Sequence, residues 1–128
     1  MNELLLAMMS ILVLAENSSV DNKSEEAWGI YQIRPIFVED VNRIVKLNGG
    51  DEVFKHEDAR NARIAQQMIF VYLTHYGRQY KLAMGKEPDA FVLGRIFNGG
   101  PKGYQKDATL DYGYRCENLH EQWLEENE

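Results

Sequence analysis

Apolar positions fall in blocks with helical spacing, separated by short polar or glycine-rich breaks. The first block runs almost unbroken from Leu4 to Ala15 and holds Leu5, Met8, Met9, Leu12 and Val13. At 3.6 residues per turn, Met9, Leu12 and Glu16 share a face, so the spacing predicts a buried helix ending on a carboxylate. The turn formers from Asn17 to Ser24 leave room for a loop or a small irregular hairpin. Trp28 to Ile33 is then apolar except for Gln32, and Gly29 interrupts it where another backbone or a ligand can come close. Pro35 suits the first turn of a helix through Ile36, Val38, Val41, Ile44 and Val45, which Gly49-Gly50 would end. A longer helix is expected from about Asp58 to Tyr76, stopping at Gly77. Ala62, Ala65, Ile69, Leu73 and Tyr76 make its apolar stripe, while Arg60, Arg63 and Gln67 face water. Glu87-Pro88 opens another helix, carrying Phe91, Val92, Leu93, Ile96 and Phe97 to a stop at Asn98-Gly99-Gly100-Pro101. Lys102 to Lys106 reads as a loop. A last helix is expected from Asp107 through Leu110, Tyr114, Leu119 and Trp123, ending in an acidic tail. With no repeat, linker or low-complexity tract, residues 1–128 are expected to form one mostly α domain.

Composition narrows the chemistry. The chain has 128 residues, 45% apolar and 27% charged, enough to bury a sizeable core. Fourteen basic against 20 acidic residues leave a formal charge of −6, which argues against a dedicated nucleic-acid binder. Cys116 is the only cysteine, so no intrachain disulfide forms and no zinc-ligand set exists. His56, His75 and His120 lack metal-ligand spacing and read as surface or packing residues. No metal or other cofactor is expected.

Glu16 is the residue with a chemical signature. Apolar neighbours disfavour its charged form, and so does the negative end of a helix dipole. Both raise the pKa, as a general acid acting near neutral pH requires. Asn98 also stands out, as a polar side chain between an apolar helix and two glycines. It is expected to make a structural hydrogen bond, with a secondary role toward substrate. Trp28 and Tyr31 read first as core or cleft wall, and Lys102 and Lys106 as solvated loop charges.

Four features then occur in a telling order: a glutamate ending a buried helix, the segment Gly29-Ile30-Tyr31-Gln32-Ile33 before Pro35, the turn Phe97-Asn98-Gly99-Gly100, and Thr109-x-x-Tyr112. Together they resemble the lysozyme-like superfamily, in particular the branch of soluble lytic transglycosylases and goose-type lysozymes. The resemblance spans Ile11 to about Tyr114. It implies a single-domain lysozyme-like fold and cleavage of the β-1,4 bond between N-acetylmuramic acid (MurNAc) and N-acetylglucosamine (GlcNAc) in peptidoglycan. It implies Glu16 as the single acid/base, Gln32, Ile33 and Tyr31 in the glycan-lining segment, Asn98, Gly99 and Gly100 in a turn whose backbone approaches substrate, and Tyr112 near the catalytic carboxyl. One departure is visible: the family's Glu-Ser-Gly-Gly is here Glu16-Asn17-Ser18-Ser19.

The branch implies lytic transglycosylation, in which the muramic acid's own hydroxyl attacks and one protein carboxylate suffices. The alternatives are a hydrolytic lysozyme with Glu25 or Glu26 as second carboxylate, and a non-catalytic protein that binds cell-wall glycan. The expected partner is the peptidoglycan strand, with no nucleic acid and no stable membrane insertion, and the protein is expected to act as a monomer. Leu4 to Leu14 resembles the core of a signal peptide, but Glu3 rather than Lys or Arg precedes it and Ala15-Glu16-Asn17 is a poor cleavage site. The expectation is a core helix in a protein made in the cytoplasm that reaches the wall by release or another route.

Overall fold

The computed structural model describes residues 2–17 and 26–127. The hairpin expected within Asn17 to Ser24 lies almost wholly outside them, as do Ser18, Ser19 and Glu25. The described chain is an all-α domain of five helices joined by short 3-10 turns, with no strand among the described residues. They are α1 (Asn2–Asn17), α2 (Pro35–Leu47), α3 (Ala62–Met84), α4 (Ala90–Gly99) and α5 (Leu110–Glu126).

Helix α1 buries Leu5, Met8, Ile11, Leu12 and Ala15 among the other helices, as its apolar run predicts. Each fully buried Leu, Ile or Met contributes about 1.5–3 kcal/mol of transfer free energy, so this helix is a principal part of the core. Pro35 starts α2 as expected, and Arg34 before it is extended, as a residue preceding proline prefers. Helix α3 departs from the sequence reading. Residues His56–Arg60 form a separate 3-10 turn, and Asn61 caps α3 by accepting from the Ile64 N–H. Gly77, the expected stop, is buried in mid-helix, and α3 continues to Met84 until Gly85 takes a left-handed conformation. Packing decides this: Tyr80 lies beyond Gly77, is buried, and meets Tyr104 edge-on at 4.9 Å.

Helix α4 begins two residues after Pro88, because Asp89 is the cap and accepts from the Val92 N–H. It packs most extensively on α5. Gly94 makes this possible: a Cβ there would sit 2.5 Å from Cys116 Sγ. Helix α5 also lies along α1. The first and last helices are therefore neighbours, and that contact assembles the site.

Candidate active site

Glu16 stands half-buried in the last turn of α1. Its Oε1 accepts a 3.0 Å hydrogen bond from the hydroxyl of Tyr112, on the first turn of α5. Arg115, one turn further, donates to Ala15 O at 3.2 Å and so satisfies a carbonyl at the end of α1. Burial pushes the Glu16 carboxyl above its usual pKa. The Tyr112 hydrogen bond, then the charges of Arg115 and Arg34, hold the rise in check. Tyr112 is buried, and its own pKa rises well above normal through burial and the neighbouring Glu16, so it remains a neutral donor.

The segment after Glu26 is a tight loop. Trp28 and Ile33 exchange two backbone hydrogen bonds of 3.0 Å, and the loop turns through positive φ at Gly29 (79°) and Gln32 (53°). Gly29 is required twice over, because a Cβ would also run into Ala59 O. Three contacts fasten the loop: Tyr31 donates to Met9 O at 2.8 Å, His56 Nε2 donates to Ile33 O at 2.8 Å, and Trp28 stacks on His56 at 3.9 Å. Gln32 is non-glycine at positive φ, a strained setting that surrounding contacts must hold. Its Nε2 donates to Gly29 O at 3.0 Å, while its buried Oε1 has no hydrogen-bond partner among the described residues.

A cleft of about 830 Å³ opens from Glu16 and Gln32 along Ile33, Arg34 and the face of α2, and is closed opposite by Phe97 to Pro101. Phe37 and Tyr72 stack at 4.2 Å in its wall, with Phe97 edge-on to Phe37 at 5.6 Å. Also on its lining, Asp40 accepts from the Tyr76 hydroxyl and from Arg43 Nε, and Arg43 Nη2 reaches the Tyr76 hydroxyl at 3.0 Å. A smaller recess of about 400 Å³, lined by Asn17, Gly29, Ile30 and Arg60, meets the same Glu16 and Gln32. These two side chains stand where the spaces join.

The turn at Asn98-Gly99-Gly100 rests on a polar lattice that is buried at Arg95 and Thr109 and exposed at Lys106. Lys106 Nζ donates to Gly99 O at 2.6 Å, Thr109 Oγ1 to Gly103 O at 2.6 Å, and the buried Arg95 to Thr109 Oγ1 and Lys106 O, both at 2.9 Å. The Thr109-x-x-Tyr112 spacing thereby acquires a physical meaning. Thr109 supports the turn on one side of the cleft, and Tyr112, one helical turn on, reaches the acid.

Most residues singled out from sequence converge here. Glu16, Gln32, Ile33, Asn98, Gly99 and Gly100 line the large cleft, and Tyr112 touches Glu16 from behind. Others do not. Tyr31 is 1% exposed, lines neither space and spends its hydroxyl on Met9, so it fastens the loop instead of lining the cleft. Glu26 is exposed and lines neither space, and Glu25 lies outside the described residues. Asn98 is exposed and makes no hydrogen bond through its side chain among the described residues, so the expected structural bond is replaced by Lys106 acting on Gly99. Lys106 is exposed, as expected of a loop charge, and also anchors the turn through Gly99 O. The sequence reading missed Phe37, Tyr72, Asp40 and Arg43, whose only signal was their spacing on α2 and α3. Among the described residues no three His, Cys, Asp or Glu side chains converge as a metal site, and no helix is long and apolar enough to cross a membrane. Comparisons with protein-family models, curated proteins and solved structures find no match to this chain.

Proposed function

We propose that this protein is a lysozyme-like enzyme that cleaves the MurNAc–GlcNAc β-1,4 bond of peptidoglycan as a lytic transglycosylase. The observation that carries the reading is Glu16: a half-buried carboxyl of raised pKa, oriented by Tyr112, at the mouth of a long cleft. In the proposed reaction the Glu16 carboxyl gives its proton to the glycosidic oxygen as the bond from C1 of MurNAc breaks. The C6 hydroxyl of the same MurNAc then attacks C1, and its proton returns to the Glu16 carboxylate. The products are a 1,6-anhydro-MurNAc end and a GlcNAc with a free 4-hydroxyl, and no water is consumed. Tyr112 would keep Oε1 occupied and favour the carboxylate formed midway, leaving the other oxygen for substrate. The aromatic wall of Phe37 and Tyr72 suits apolar sugar faces. Asp40 in the cleft is committed to Tyr76 and Arg43 and so is not free to act as a second carboxylate, whereas Glu39 stands exposed on the same lining.

Mass spectrometry of the fragments released from purified peptidoglycan tests the proposal. Anhydro ends with wild type, and none with Glu16→Gln, are expected. Hydrated reducing ends would make the protein a hydrolytic lysozyme. Binding without fragments would make it a glycan-binding protein.

A further inference from the structure

The cleft holds two guanidinium groups in opposite situations. Arg43 is spent on Asp40 and Tyr76. Arg34 lines the cleft two residues from Gln32, is exposed, and its side chain makes no hydrogen bond or ion pair among the described residues. Its charge nevertheless reaches Glu16, where it opposes the rise that burial produces. A cation beside a general acid works against the acid, so an uncompensated one there calls for another role. Pro35 has no N–H, and those of Phe37 and Val38 both return to Arg34 O, so the Arg34 guanidinium is the charged donor on this part of the wall.

We propose that Arg34 is a substrate-binding residue that pairs with a carboxylate carried by the glycan strand beside the scissile bond. The inference rests on the reading of Glu16 as the acid of a muramic-acid-cleaving site, and adds that the site discriminates acidic strands from neutral ones. Two sources carry this chemistry: the lactyl carboxylate of a denuded strand, and a carboxylate of the peptide stem on an intact one. A planar guanidinium with a free fork suits either. Pairing has a consequence for catalysis. Neutralising Arg34 removes one of the charges that hold Glu16 down, so the acid becomes a better proton holder once an acidic strand is bound. Among the described residues the other groups around Glu16 are Tyr112 and Arg115 from α5, with Cys116 behind them, Arg60 across the smaller recess, and Glu39, Asp40 and Arg43 of α2 on the lining of the large cleft.

The test compares Arg34→Gln and Arg34→Lys, with Arg63→Gln on the exposed side of α3 as a charge control. Binding is measured in a Glu16→Gln background against neutral chito-oligosaccharides, denuded MurNAc–GlcNAc strands and stem-bearing strands. Arg34→Gln is expected to weaken binding of carboxylate-bearing strands about tenfold, the usual scale for one charge-assisted hydrogen bond, while Arg34→Lys recovers part of it. Loss on denuded strands names the lactyl group as the source, and loss confined to intact strands names the stem. With Glu16 intact, the alkaline limb of kcat on acidic strands is expected at higher pH than that of kcat/KM, and Arg34→Gln closes the gap. Binding of both acidic strands within twofold of the Arg63→Gln control overturns the inference and leaves the cleavage reading standing. Arg34-dependent binding without any cleavage by wild type does the reverse.

Discussion

At the scale of single residues the site is a balance around one carboxyl. Burial raises the pKa of Glu16, and Tyr112, Arg115 and Arg34 limit the rise. A carboxyl whose folded pKa lies above its unfolded value holds its proton longer in the native state, so its contribution to stability is present at low pH and is lost as pH rises through the folded value. Glu16→Gln carries no such liability. Its melting temperature is therefore expected to rise relative to wild type between pH 4 and pH 7, while peptidoglycan clearing is lost; a gap that stays flat across that range would mean Glu16 is solvated. Tyr112→Phe removes the hydroxyl that favours the carboxylate. It is expected to shift the alkaline limb of the pH–rate profile upward and to lower kcat about tenfold through lost orientation, about 1.4 kcal/mol of barrier. Glu26→Gln and Glu25→Gln are each expected to keep most of the activity in a turbidity assay, since Glu26 lines neither space. Inactivity of either variant would restore the second-carboxylate alternative.

At the scale of elements the two glycines ending α4 separate. Both read alike in sequence, as places for backbone approach, but their surroundings differ. A Cβ at Gly99 would run into Thr109 Cγ2, whereas Gly100 has open space and a φ of 95°. Gly99→Val is thus expected to lower both stability, by about 1–3 kcal/mol, and activity, because it pushes against the support of the turn. Gly100→Val meets no neighbour, yet carries backbone strain of about 1–3 kcal/mol that the turn relieves by moving. It is expected to lose proportionally more activity than melting temperature, and parallel melts and clearing assays separate the two. The helices themselves were well marked where proline, glycine and apolar spacing agreed, as in α2 and α4. The end of α3 was not legible at Gly77. Glycine usually interrupts a helix, but about 1 kcal/mol of propensity is outweighed when burying Tyr80 rewards two further turns.

At the scale of the whole molecule, the acid and its orienting hydroxyl lie 96 positions apart in the chain and are joined by the packing of α1 on α5. The site can therefore form only when the first and last helices are both in place. Single-tryptophan variants Trp28→Phe and Trp123→Phe, which leave one reporter near the acid and one near the far end of α5, are expected to unfold with the same midpoint in urea; separated midpoints would show the site opening independently of the bundle. The sequence by itself determined the mostly α class, the buried first helix, the position of Glu16 at its end and the glycine turn across from it. These depend on local spacing, capping and the end of one apolar run, all of which are written within a few consecutive residues. Tertiary structure alone decided that Tyr31 turns inward to Met9, that Tyr112 reaches Glu16, that Asp40 is consumed by Arg43 and Tyr76, and that Arg34 is left open to the cleft. Which polar group finds a partner depends on contacts between distant segments, and a side chain's spacing in the chain carries no information about what packs against it from another helix.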